Sequence, residues 1–167
     1  MALTSKISLY NPQWPLAFAA ERERIAPGFA DDLLAIHHVG STAVPGLAAK
    51  PEIDVLLVVA RHRDEVLREA FMATLGYVRG SDLSVGHQFY RRDVQGVRTH
   101  KVHVCLVGHG QIQRMLGFRD LLRTDVELRQ RYQELKLQLE ASNRDGIGEY
   151  LARKAPFIDG VMDNQQA

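Results

Sequence analysis

Apolar residues recur with a strand-like rhythm over the first two-thirds of this chain and with a helical rhythm over the last third. Val55-Leu56-Leu57-Val58-Val59 is apolar on both faces, as in a strand buried on both sides of a sheet. Glu52 to Val59 is therefore predicted as a central strand with a polar opening. Ile36 to Val39 is a shorter strand running into Gly40-Ser41. Gln88 to Asp93 and Arg98 to Val107 are two more, with Val94-Gln95-Gly96-Val97 as a hairpin connection. In the second of these, Val102, Val104 and Leu106 share one face, and Lys101, His103 and Cys105 share the other. Tyr77-Val78-Arg79 makes a short strand. The segment Thr42 to Pro51, with two prolines and a glycine, reads as loop or irregular helix.

Helices fill the remainder. Asn11 caps one from Pro12 to about Ile25, stopped by Pro27-Gly28. Asp64 to Leu75 is a second, with Val66, Leu67, Ala70, Phe71 and Leu75 as its apolar stripe and Gly76 as its stop. Thr124-Asp125-Val126-Glu127 forms a capping box, after which Leu128, Tyr132, Leu135 and Leu139 recur at helical spacing. A last helix from about Asp145 carries Ile147, Leu151, Ile158 and Val161, with Pro156 as a kink or break. The pattern predicts an α/β (α+β) fold: a mixed β-sheet flanked by helices, with a helical C-terminal layer. With 167 residues, a single domain over 1–163 is expected, and Asn164-Gln165-Gln166-Ala167 reads as a frayed tail.

Composition narrows the classes. A content of 46% hydrophobic and 25% charged residues is that of a globular protein. A net charge of +1 and the lack of a basic-aromatic stripe argue against a nucleic-acid partner. Cys105 is the only cysteine, so no disulfide forms within the chain and a reducing, cytoplasmic location is expected. The N-terminus shows no basic-then-apolar leader, and no apolar run approaches the roughly 20 residues that span a bilayer. No membrane partner is expected.

The candidate chemistry lies between the second and third of the early elements. Gly40-Ser41 is followed after ten residues by Glu52-Ile53-Asp54. Glycine lets backbone approach a phosphate, and the serine hydroxyl with nearby N–H groups donates to phosphate oxygens. Acids at i and i+2 of a strand share a face, where their oxygens suit a hard divalent cation. A P-loop does not fit, because five residues lie between Gly40 and Gly46 where the pattern has four, and Leu47 stands where lysine should follow. No Gly-x-Ser-x-Gly elbow makes Ser41 a nucleophile. Seven histidines lack any CxxC-type companion spacing; His37 and His38 point apart, and so do His100 and His103. Trp14 reads as a packing anchor.

This spacing resembles the nucleotidyltransferase superfamily. The longer run Val39-Gly40-Ser41-Thr42-Ala43-Val44-Pro45-Gly46-Leu47-Ala48-Ala49-Lys50-Pro51, then Ile53-Asp54, is similar to the GrpB family within it. So are Tyr10-Asn11-Pro12-Gln13-Trp14, His87-Gln88-Phe89-Tyr90-Arg91, Thr99-His100-Lys101-Val102-His103-Val104 and Phe118-Arg119-Asp120-Leu121-Leu122-Arg123. The resemblance implies a nucleotidyltransferase-like fold and metal-dependent transfer of a nucleoside monophosphate from a nucleoside triphosphate to a small hydroxyl or amine acceptor. Gly40, Ser41, Lys50 and Arg91 would hold the phosphates. Glu52, Asp54 and His103 would be catalytic and hold a divalent ion, magnesium or manganese before zinc. His103 stands near the place of the superfamily's third carboxylate, as a ligand or a general base. Arg119, Arg123 and Asp120 would close over the cleft or form surface ion pairs. The same resemblance implies an alternative, a non-catalytic nucleotide- or coenzyme A-related binding or scaffold domain, because GrpB-like domains also occur fused to dephospho-coenzyme A kinase.

Overall fold

The structure, a computed structural model, describes residue 3 and residues 5–166. Among the described residues five strands form one sheet: β1 (Leu33–Val39), β2 (Ile53–Val59), β3 (Val78–Arg79), β4 (His87–Val94) and β5 (Val97–Leu106), in the order β1-β2-β5-β4-β3. Only the β2–β5 pair is parallel; the other neighbours run antiparallel. The sheet is thus mixed, with β2 beside its middle strand, as its two-sided apolar character requires.

Alternation sends the two faces of β2 to different cores. Val55, Leu57 and Val59 pack with Phe18 and Ile25 of α1 (Trp14–Ile25) and Met72 of α2 (Glu65–Thr74). Leu56 and Val58 pack with Cys105 and with Ile112, Met115 and Leu116 of α3 (Gly110–Thr124). Helices α4 (Val126–Ala141) and α5 (Ile147–Gln166) complete the layer on that second face, where Leu122, Leu128 and Tyr132 bury against Val44, Leu47, Phe157 and Ile158. Asp54 lies on this second face by the same alternation.

The details differ from the pattern-based expectation in five places. The hairpin loop is Gln95-Gly96 alone, because Val94 pairs with Val97; both loop residues have positive φ, 52° and 79°, as a tight mirror-image turn demands. Helix α2 buries Arg68 and Met72, while Val66 and Leu67 are 82% and 71% exposed. The cause is Asp32, buried beneath the helix, which draws the Arg68 guanidinium to 2.6 Å and turns that face inward. Thr124 ends α3 rather than capping α4; the cap is Asp125, whose carboxylate accepts from the Leu128 N–H at 2.9 Å. Helix α5 continues through Pro156 and includes Asn164 to Gln166, while Ala167 lies outside the described residues. At the start, Asn11 accepts from the Gln13 N–H at 2.9 Å, and α1 begins at Trp14.

Candidate functional site

The polar mouth of β2, the turn after β1 and the inner faces of α3, α4 and α5 enclose a cavity of about 270 Å³. Its floor begins where β1 ends. Gly40 has φ 74°, a conformation that disfavours any side chain, and a Cβ there would lie 2.2 Å from Asp54 Oδ2. The glycine thus lets the Asp54 carboxylate lie against the backbone of the turn. Thr42, buried in the next short 3₁₀ turn, donates to the Glu52 carbonyl at 3.0 Å and bonds His38 Nε2 at 3.0 Å. That hydroxyl fixes the Gly-Ser turn to the strand mouth ten residues later.

Glu52 and Asp54 both face Lys101. The β2–β5 register sets Asp54 opposite Lys101, and the Lys101 Nζ lies 3.4 Å from Glu52 Oε2 and 3.4 Å from Asp54 Oδ1. The Asp54 and Glu52 carboxylates hold this ammonium above the ordinary lysine range. These separations are ion-pair contacts rather than aligned hydrogen bonds. Asp54 Oδ1 is buried and has no hydrogen-bond partner among the described residues.

Three more lysines enter from the helices and the loop. Lys136 of α4 is 3% exposed; its Nζ donates to Ser41 Oγ at 2.9 Å and to the Ala48 carbonyl at 2.7 Å. Burial, with Lys154 and Lys50 nearby, pushes its ammonium down to about 7. Burial also pushes Lys154 of α5 down to about 8, with Lys101 adding repulsion. Lys50 is lowered by burial too, and its Nζ lies 3.9 Å from the Tyr150 ring centroid. From α3, Arg119 donates to the His38 carbonyl at 3.1 Å and pairs with Asp120 at 2.8 Å, while Arg114 pairs with Asp159. Arg123 ties α3 to the turn by donating to the Ala43 carbonyl at 2.9 Å. Six cationic side chains therefore line the cavity against two carboxylates. Met115, Phe118 and Leu122 of α3 and Tyr150, Leu151 and Ile158 of α5 add an apolar wall.

Gly40, Ser41, Lys50, Glu52 and Asp54 come together here. His103 and Arg91 do not line the cavity. His103 shares the face of Lys101 but pairs with Leu56, further along β2; its Nδ1 bonds His87 Nε2 at 2.8 Å, and its ring packs on Phe89. Burial pushes it down to about 4, so it is neutral. Arg91 is one strand further out and reaches toward β3, where its Nη1 would be 3.5 Å from a Cβ on Gly80. His100 joins Arg92, Glu21 and Tyr77 in a polar cluster on the other side of the sheet. Trp14 is a buried anchor, edge-on to Tyr10.

Lys101, Lys136 and Lys154 are the residues that sequence reasoning missed. Two of them had a readable signal. Lys136 follows Tyr132 by four and precedes Leu139 by three; Lys154 follows Leu151 by three and precedes Ile158 by four. A lysine inside an apolar stripe is buried by its own helix. Lys101 had none, because only the strand register sets it against Asp54.

Among the described residues no three His, Cys, Asp or Glu side chains converge as a metal-binding group. The two cleft carboxylates converge on an ammonium instead, and the donor set as arranged does not fit a divalent ion. No helix among the described residues is long and apolar enough to cross a membrane.

Comparison with known proteins places this geometry. UPF0157 protein YqkA of Bacillus subtilis is 35% identical over 159 residues, 95% of this chain and 46% of that protein, so the chain spans less than half of that relative. The crystal structure of the conserved protein GrpB from Enterococcus faecalis superposes with a TM-score of 0.85 at 29% identity, covering 97% of this chain and all of that one. The Cid1 poly(U) polymerase, in a crystal structure with Mg 3'-dATP bound, superposes with a TM-score of 0.58 at 9% identity, over 88% of this chain and 49% of that one. This last likeness is one of fold, and the fold is nucleotidyltransferase-like. Since residues 4–164 match the family described as GrpB protein, the chain belongs to the GrpB family.

Proposed function

We propose that the cleft binds the phosphates of a nucleoside triphosphate and that the chain moves the nucleoside monophosphate to a small hydroxyl or amine acceptor. The observation that carries this reading is the bond between Lys136 and Ser41, 2.9 Å long, at the base of a cavity where cations outnumber carboxylates three to one. Among the described residues no carboxylate forms a close ion pair with Lys50, Lys136 or Lys154, and a polyphosphate supplies the missing anion. The apolar wall with Phe118 and Tyr150 suits a base and sugar. Nucleotide binding by a protein of the same fold is consistent with this reading.

In the reaction, the Asp54 carboxylate takes the proton of the acceptor hydroxyl. The acceptor oxygen bonds the α-phosphorus, the bond from that phosphorus to the bridging oxygen breaks, and pyrophosphate leaves. Lys136, Lys154 and Lys50 neutralise charge on the transferring and departing groups.

Isothermal titration with each nucleoside triphosphate tests the binding step, and pyrophosphate release across a panel of small acceptors tests transfer. Micromolar binding that weakens in Lys136→Met is expected; binding indifferent to that change refutes the site. A second reading, nucleotide- or coenzyme A-related binding without turnover, is favoured by Lys101, whose ammonium stands against both carboxylates. It predicts binding with no pyrophosphate release from any acceptor.

A further inference from the structure

We infer that Lys101 is the resident cation of the Glu52–Asp54 pair, and that this cleft receives its ligand's phosphates without a divalent ion on those two carboxylates. A protein of the same fold is solved with magnesium and nucleotide together, but the surroundings of the i, i+2 carboxylates Glu52 and Asp54 do not suit that ion. Asp54 has two oxygens. Oδ2 is turned against the Gly40 backbone, so closely that a Cβ there would be 2.2 Å away. Oδ1 faces the Lys101 Nζ at 3.4 Å, and the same Nζ lies 3.4 Å from Glu52 Oε2. The oxygens that a magnesium ion would need at about 2.0–2.1 Å are thus those already facing an ammonium.

Lys101 is not a passing surface side chain. Parallel pairing of β2 with β5 fixes its Cα opposite Asp54, and alternation aims it at the second face of the sheet, as it does Asp54. The three side chains are mostly shielded: Lys101 is 29% exposed, Glu52 12% and Asp54 17%. Withdrawing the ammonium would leave two shielded carboxylates facing each other. Bringing a divalent ion to them with the ammonium in place would set like charges together in a weakly solvated site. Either route opposes metal entry, so the lysine supplies the positive charge. Phosphate then meets Lys50, Lys136 and Lys154 directly. The last point rests on the nucleotide reading; the exclusion of metal does not.

The experiment uses manganese alone, followed by electron paramagnetic resonance and by calorimetry, on the wild-type chain, Lys101→Ala, Lys101→Gln, Asp54→Asn and the double variant Lys101→Ala/Asp54→Asn. The wild type is expected to show no manganese binding below millimolar concentration. Lys101→Ala and Lys101→Gln should each gain one site at least tenfold tighter, lost again in the double variant. One manganese bound tightly by the wild type and lost in Asp54→Asn overturns the inference. So does the failure of both folded lysine variants to gain a site. A parallel titration of nucleoside triphosphate in EDTA and in magnesium should give affinities within threefold for the wild type; a tenfold loss in EDTA also overturns it. If no nucleotide binds under any condition, the nucleotide reading fails, and the manganese measurements still decide the role of Lys101.

Discussion

Replacing Lys136 with methionine should make the chain more stable and a poorer nucleotide binder. Methionine matches the length of the lysine stem and fills the same space, so packing changes little. The buried ammonium lies at about 7, against 10.5 ordinarily. At about 1.4 kcal/mol per unit, its burial costs on the order of 4 kcal/mol at neutral pH. Against that, the change leaves the carbonyl of buried Ala48 without its 2.7 Å donor, a loss of about 1–3 kcal/mol. Ser41 loses a donor too, but it faces the cavity, where water replaces it. The balance is a net gain of about 1–3 kcal/mol. One charge-assisted contact to phosphate is worth about 1.5–3 kcal/mol, so nucleotide affinity should fall by about 10- to 100-fold. Urea unfolding at pH 7 gives the first quantity and calorimetric titration the second. A variant less stable than the wild type by more than 2 kcal/mol would show that Lys136 is a structural strut and refute the reasoning.

Other outcomes follow from the same geometry. Because Lys136 and Lys154 titrate near 7 and 8 in the folded chain and near 10.5 when unfolded, the unfolded chain binds more protons between those values. Their contribution to ligand-free stability should therefore rise from about pH 7 to pH 10, and a urea midpoint falling over that range in the wild type but not in Lys136→Met would contradict it. Asp54→Asn should abolish pyrophosphate release while leaving nucleotide affinity equal or higher, since it removes a negative charge near the phosphates; single-turnover release persisting in the variant would exclude Asp54 as the base. Gly40→Ala should cost about 1–3 kcal/mol from its left-handed backbone alone, more as the new Cβ meets Asp54, and this is read by thermal unfolding.

How much of this was legible follows from which interactions are local. Side-chain alternation in β2 is set by the strand itself, so the opposed faces of Ile53 and Asp54 could be read directly. The Gly40–Asp54 contact was legible as a motif because its two halves are joined by a short segment. Strand register is not local. The sequence placed Lys101 and His103 on one face of β5, but whether Asp54 meets one or the other depends on a two-residue slide between strands distant in the chain. Helix rotation failed for a similar reason. The stripe through Val66 and Leu67 was reasonable from hydropathy, yet buried Asp32, contributed from before β1, outweighs two aliphatic side chains by recruiting Arg68. A buried charge dictates orientation more strongly than apolar area, because leaving it unpaired costs more.

The Gly-Ser turn and the acidic strand mouth do not by themselves make the cleft. They lie on a sheet face that is completed by α3, α4 and α5, and the last two helices deliver the lysines whose ammonium groups are held furthest below their ordinary range. Lys136 bonds Ser41 directly, so the C-terminal layer contributes to the cleft itself, and under the proposed function to its phosphate site, rather than merely covering it. The apolar stripes of α4 and α5 bury these lysines at a cost that packing must offset. Aliphatic residues at 136 and 154 would pack as well without that cost. What lysine supplies there is positive charge in a weakly hydrated pocket, where its attraction for phosphate is greatest and its own solvation is poorest. Binding of a polyanion should then draw protons onto Lys136 and Lys154 near neutral pH. Titrations of one nucleotide in buffers of different ionisation enthalpy should show net proton uptake at pH 8 that disappears below pH 6, where both ammonium groups are already charged. Equal proton uptake at the two pH values would mean that the lysines do not meet the phosphates.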